Sequence, residues 1–292
     1  MGRDSRVALV TCAAFPDLRE DDHRLRDALR ARGVVVEAVR WDDPGADWSG
    51  YDLTVIRSPW DYTDRPEAFV AWARSVPRLA NPADIIVWNT DKRYLGELAA
   101  AGIPIIPTRF VGPGDSWTPP ADGEWVVKPT ISAGSRDTAR YLLPGQAGEA
   151  VAHVGRLTGA GRTAMVQPYL SAVDTAGETA VLCTPDETGE LTFSHGIRKG
   201  AMLTVRGDVK VSVGSEQITA RTPSPAELDL AAQVLAAVPG GSKQLLYARV
   251  DLIPGPDGTP MLIELELTEP ALFLLHGPGA AERLADAILA RI

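Results

Sequence analysis

The chain has 292 residues, 45% of them hydrophobic and 23% charged, with a formal net charge of −9. That length exceeds what one hydrophobic core holds, so two or three subdomains are expected, and the acidic balance argues against a nucleic-acid partner, whose footprint is a basic face. No apolar run reaches membrane-spanning length, the start MGRDSRVALV lacks a signal-peptide core, and Cys12 and Cys183 lie singly in apolar runs; a cytoplasmic protein with no membrane partner, no disulfide framework and no zinc site is expected.

In chain order, residues 6–12 (RVALVTC) read as a buried strand, 21–32 as a helix ended by Gly33, and 34–41 and 51–56 as two more strands. A helix over 65–76 completes an alternation of strands and helices that predicts a small parallel α/β domain. Ligands of such sheets gather beyond the strand C-termini, which puts the loop RSPWDY (57–62) on the ligand side. Arg57, Ser58, Asp61 and Tyr62 are therefore candidates to hold a small polar substrate, Arg57 through a bidentate pair with a carboxylate; an ordinary proline turn around a packed Trp60 is the other reading.

Only five of the 29 basic residues are lysines: Lys92, Lys128, Lys199, Lys210 and Lys243. Against that Arg-rich background, a lysine that persists suggests a need for a compact ammonium. Thr90 and Asp91 read as the N-cap of a helix with Lys92 in its first turn, where a cation opposes the dipole and so reaches for an anion. Residues 103–123, rich in Pro and Gly, read as a boundary. The strand WVVK (125–128) then ends in Lys128 and is followed by the small-residue loop TISAGSR (130–136), a weak phosphate-loop signal with neither a GxxxxGK[ST] nor a GxGxxG pattern beside it.

Residues 146–157 and 225–238 read as helices, 164–170 (AMVQPYL), 177–183 and 191–197 as strands, and 280–292 as a closing helix. Between the last two helices, residues 245–268 (LLYARVDLIPGPDGTPMLIELELT) form two alternating apolar runs around a Pro/Gly/Asp turn, a hairpin pattern. Period two puts Arg249 and Asp251 on one face of the first strand and Glu264 and Glu266 on one face of the second, itself read as an internal strand. Two carboxylates roughly 7 Å apart repel; either they are solvated, or Mg²⁺, which takes one or two carboxylates plus phosphate oxygens, joins them.

Lys92, Lys128, the small-residue loop, the QPYL turn and the ARVDL/IELEL hairpin, in that order, resemble the ATP-grasp superfamily over about residues 85–292. The run FSHGIRKG with GET and ELELTEP is most similar to its glutathione-synthetase-like branch, and RSPWDY, the short chain and the Arg-rich composition to cyclo-ligases whose nucleophile is a ureido nitrogen of the same molecule. The resemblance implies an α/β fold with α+β subdomains: an N-terminal parallel domain (1–88), a linker helix and central subdomain (89–170), and a C-terminal subdomain with the metal-binding hairpin (171–292). It implies ATP and Mg²⁺ as cofactors and a small amino-acid-like carboxylate as substrate, activated as an acyl phosphate and attacked by nitrogen; homo-oligomers are common in the family, though no interface is legible.

Residue by residue, it implies that Lys92 and Lys128 contact the α- and β-phosphates under a loop of Ser132, Ala133, Gly134 and Ser135. Gln167, Pro168, Tyr169 and Leu170 would offer backbone groups to adenine, and Asp174 or Glu178 would meet the ribose. Asp251, Glu264 and Glu266 become metal ligands, and Arg198, Lys199 and Arg249 neutralise the transferred phosphoryl group. The family often has Asn where this chain has Glu266, a departure that adds a negative charge and leaves the metal count open.

Overall fold

The computed structural model describes residues 4–201 and 217–292; Lys210 lies outside them. Strands β1 (Arg6–Thr11), β2 (Val35–Arg40), β3 (Leu53–Ser58) and β4 (Leu79–Ala80) form an all-parallel sheet in the order β2-β1-β3-β4, flanked by helices α1 (Glu20–Arg30) and α2 (Pro66–Ser75). Val7, Ala8, Leu9 and Val10 are all fully buried, as expected of a parallel strand covered on both faces.

Two short helices follow, α3 (Ala83–Thr90) and α4 (Tyr94–Ala100). Thr90 and Asp91 thus lie after one helix and do not cap the next. The Thr90 hydroxyl donates back to the Ile86 carbonyl (2.7 Å), and the Asp91 carboxylate accepts from the Arg93 amide (3.0 Å) in a local turn. Lys92 falls in this break and not in a first helical turn; its amide is fixed by the Thr130 carbonyl (2.9 Å).

Next come β5 (Arg109–Val111), β6 (Gly123–Pro129), β7 (Ala139–Leu143), α5 (Ala147–Gly159) and β8 (Ala164–Pro168), whose strands form an antiparallel sheet ordered β5-β8-β6-β7. The third sheet is built from β9 (Glu178–Pro185), β10 (Leu191–Lys199), β11 (Ile218–Ala220), β12 (Ala248–Pro254) and β13 (Pro260–Glu266), ordered β11-β10-β9-β12-β13 and antiparallel throughout. Helices α6 (Ala172–Ala176), α7 (Pro225–Ala236) and α8 (Ala280–Leu289) complete the described chain. The α/β class with separate α+β parts is as the sequence predicts.

One expectation fails: β13 is an edge strand, not an internal one. Its outward backbone groups are instead taken by side chains and a neighbouring segment. Leu265 exchanges hydrogen bonds with the Tyr94 hydroxyl (2.8 and 2.9 Å), Asn89 bonds Leu265 O and Leu267 N, and Leu262 pairs with residues 104–106. The strand therefore lies at the sheet's edge without exposing a pairing edge.

A shared core joins the first sheet to the third: Val7, Leu9 and Val55 pack in one cluster with Leu182, Ile197, Leu246 and, from α8, Leu284 and Ile288. Arg57 bolts this junction. It is 1% exposed, donates to Asp22 at 2.9 Å and to the Pro270 carbonyl at 3.0 Å, and lies against the Tyr247 ring. The expectation that it binds substrate is corrected, because all of its charge is spent inside the protein. Arg57→Ala is expected to lower the unfolding free energy by about 3–5 kcal/mol, since it strands a buried carboxylate; a thermal melt equal to the parent's, with only a raised substrate KM, would contradict this.

Candidate active site

The ends of the three sheets enclose a cavity of about 480 Å³. Part of its wall is apolar: Ile106, Val126, Val173, Ile253 and Ile263, beside Gln167, Pro168, Tyr169 and Leu170 at the end of β8. Such a slot, rimmed by strand-end backbone, suits a flat heteroaromatic ring. Tyr169 is fixed by the Arg140 guanidinium over its ring and by donation to Asp174 (2.5 Å). Asp174 is thereby used to hold Tyr169 and does not line the cavity, whereas Glu178 does.

Lysines from both antiparallel sheets and from the break between α3 and α4 line the cavity. Lys128 has no hydrogen-bond or ion-pair partner among the described residues, and burial pulls its ammonium below the ordinary lysine value. Lys92 donates to Ser132 O at 2.8 Å and lies 3.1 Å from Glu264; burial opposes its charge, but Glu264 prevails and raises it. Lys199 sits 2.7 Å from both Glu178 and Asp251, which likewise overcome burial. Gly177 permits this arrangement: at φ 71° a Cβ there would stand 2.4 Å from the Lys199 carbonyl, so only glycine lets Glu178 pair opposite Lys199.

Over these lysines runs the loop after β6, with Ser132, Ala133, Gly134, Ser135 and Arg136 all lining the cavity. Gly134 and Ser135 are both left-handed (φ 61° and 56°), and the amides of residues 132–135 have no acceptor among the described residues. Successive amides without a carbonyl partner in such a turn can form an anion cradle. Thr138, buried with an unpartnered hydroxyl among the described residues, lines the same cavity.

On the hairpin, Arg249 stands opposite Glu266 and Asp251 opposite Glu264. Asp251 is 1% exposed and is not part of the lining: it accepts from Arg249 (3.0 Å) and Lys199 (2.7 Å). Burial would raise its carboxyl, but those two cations hold it below the usual range. Glu264 and Glu266 do face the cavity, and Arg249 bonds Glu266. Lys92 and Lys128 outweigh burial and lower Glu264, whereas burial, opposed by Arg249 and reinforced by Glu264, pushes Glu266 up to about 8. Two hard carboxylates, two residues apart on one strand face, fit Mg²⁺ together with phosphate oxygens. Among the described residues no group of three or more His, Cys, Asp and Glu is arranged to hold an ion, and Asp251 is engaged by Arg249 and Lys199.

Other expected residues lie outside the lining. Arg198 donates to the carbonyls of Ala176 (2.6 Å) and Thr175 (2.8 Å), so it closes the end of α6 and not the phosphate site. Ser58 is fully buried against the Thr11 hydroxyl (3.1 Å), and Tyr62, 2% exposed, reaches the site only through Glu269. Of the RSPWDY candidates Asp61 alone lines the cavity, accepting from Trp41 at 2.7 Å. Missing from the sequence reading are Phe15, Arg19, Trp60, Glu269 and Phe273. The strand-end rule that pointed to RSPWDY applies equally to the loop after β1 and finds Phe15 and Arg19; Glu269 lies within ELELTEP.

A nucleotide-sized space between two antiparallel sheets, with lysines from each and a carboxylate pair on the last hairpin, is the arrangement of an ATP-grasp ligase, an ATP-dependent enzyme joining a carboxylate to an amine. Among such ligases, this chain belongs to the family of the cycloserine biosynthesis protein DcsG: it is 38% identical to that protein from Streptomyces lavendulae over 306 residues, covering 98% of each. Residues 7–81 match the family described as D-cycloserine synthetase DcsG, N-terminal domain. The fold superposes on the crystal structure of D-cycloserine synthetase DcsG with a TM-score of 0.89 at 37% identity, covering 98% of this chain and 99% of that one. It also resembles a RimK domain ATP-grasp protein from Sphaerobacter thermophilus (TM-score 0.65, 18% identity, 97% and 99% covered), a likeness of fold. No helix among the described residues is long and apolar enough to cross a membrane.

Proposed function

We propose that the protein makes D-cycloserine by closing a ring within one molecule of O-ureido-D-serine. The observation that carries this reading is the 38% identity, along 98% of both chains, to a protein of cycloserine biosynthesis. The cavity's chemistry supports it, because a phosphate and a carboxylate repel unless cations gather them.

In this reading Gln167, Pro168, Tyr169 and Leu170 hold the adenine, Glu178 meets the ribose, and Lys92, Lys128 and the amides of 132–135 bind the phosphates. Mg²⁺, held by Glu264 and Glu266, neutralises phosphate charge when bound. Arg249 and Lys199 draw the substrate carboxylate towards the γ-phosphoryl group. A carboxylate oxygen forms a bond to phosphorus and ADP departs. The ureido nitrogen beside the ether oxygen then attacks the acyl carbon, loses its proton and expels phosphate. Water cleaves the remaining carbamoyl group as carbamate, which gives CO₂ and ammonia. The loop over the lysines excludes other water that would hydrolyse the acyl phosphate.

Purified protein with Mg-ATP is expected to release ADP when O-ureido-D-serine is the only amino acid supplied. Release that requires a second amino acid would favour an intermolecular carboxylate–amine ligase, and no ADP with any amino-acid carboxylate would count against both.

A further inference from the structure

Five carboxylates line the cavity, and four have a cation nearby: Glu178 has Lys199 at 2.7 Å, Glu264 has Lys92 at 3.1 Å, Glu266 has Arg249, and Asp61 has Arg65 at 4.0 Å. Glu269 has none within 4.0 Å among the described residues. It is nevertheless held firmly. The Tyr62 hydroxyl donates to Oε1 at 2.7 Å, the Trp60 indole donates to the Glu269 carbonyl at 3.2 Å, and Arg57 donates to the next carbonyl, Pro270, at 3.0 Å. Three side chains of RSPWDY thus fix the segment 269–270, and of them Tyr62 alone bonds the carboxylate, with a neutral hydroxyl.

A half-buried carboxylate with no cation in direct contact is unfavourable unless one arrives, and burial, against the pull of Tyr62 and of the more distant Lys92 and Arg249, pushes this one up to about 7. Phe15, Trp60, Ala271 and Phe273 line the same cavity, with the Arg19 guanidinium over the Trp60 ring. The same segment also bonds the cation meant for the substrate carboxylate: Arg249 donates to the Ala271 carbonyl at 3.0 Å. An α-amino acid carries carboxylate and ammonium on one carbon, so its two charges need an opposed cation and anion fixed close together, and residues 269–271 supply that fixture.

We propose that Glu269, oriented by Tyr62, receives the α-ammonium of the substrate and so restricts the enzyme to free α-amino acids. The inference rests on the reading that this cavity activates an amino-acid carboxylate. Tyr62 is then a positioning residue, and Arg57 and Trp60 hold the backbone from which the carboxylate projects.

The test compares O-ureido-D-serine with its deamino analogue, 3-(ureidooxy)propanoate, in ADP release. The parent is expected to favour the amine-bearing substrate by about 30-fold or more in kcat/KM, the range of a charge-assisted hydrogen bond. Glu269→Gln, which keeps an acceptor for Tyr62, should lose most of that preference by slowing only on the amine-bearing substrate, and Tyr62→Phe should shift the ratio the same way by less. A preference unchanged in Glu269→Gln, no preference in the parent, or a raised Mg²⁺ requirement for both substrates alike would overturn the assignment. No ADP from the parent with either compound would remove the ligase reading itself, and this inference with it.

Discussion

Asp251→Ala is expected to melt far below the parent and to lose turnover as a consequence, with about 3–5 kcal/mol of stability gone, the scale for breaking a buried ion pair from one side. Asp251 is 1% exposed on β12 and is the anion between Arg249 and Lys199. Its removal leaves Lys199 with Glu178 and Arg249 with Glu266, and one negative charge too few in a dry place. The pH dependence has a definite sign. Because the folded carboxyl lies below its ordinary value, its contribution is present above the unfolded pKa of about 4 and is lost as pH falls through the folded one; the parent should therefore lose more stability in acid than Asp251→Ala does. Chemical denaturation at neutral and acid pH reads both effects. An unaltered melt combined with weakened Mg²⁺ dependence would make Asp251 a metal donor after all.

Glu264→Gln should behave in the opposite way, folding as the parent does, within about 1 kcal/mol, yet turning over ~100-fold or more slowly, the scale for removing a preorganised electrostatic group. Its side chain is 25% exposed, so the amide meets the cavity and not a closed interior. Lys92 loses a counterion but keeps Ser132 O. The Mg²⁺ concentration for half-maximal ADP release should rise. Unchanged turnover and Mg²⁺ dependence would take Glu264 out of the site.

The sequence treats Asp251, Glu264 and Glu266 alike because period-two alternation assigns a face and not a depth. Alternation and the turn are local, which is why the hairpin was legible, and the pairing of Arg249 with Glu266 and of Asp251 with Glu264 follows from its register. Depth is set by what packs above the strand. Here the segment 269–273 and β10 cover the Arg249–Asp251 end, while Glu264 and Glu266 stay open. The same limit explains Arg198 and Lys199: successive strand residues face opposite ways, and only Lys199 lines the cavity. For Arg57 the missing information was Asp22, 35 residues away, whose negative charge consumes the guanidinium. The break at Lys92 was hidden because Thr90 and Asp91 are good capping residues in isolation, and only the contact of Lys92 with Thr130 and Ser132 shows why the helix ends there. The edge position of β13 was likewise masked, since Asn89 and Tyr94 do the work that a sixth strand would do.

The central claim is that ATP activates the carboxylate of a single substrate molecule. O-ureido-D-serine carrying oxygen-18 in its carboxylate, incubated with Mg-ATP and the purified protein, tests it through the mass of the released phosphate and of the organic product. Phosphate bearing one labelled oxygen, formed together with D-cycloserine, is the predicted result. Unlabelled phosphate accompanying the ring would show that the carboxylate never bonds to phosphorus and would contradict the account.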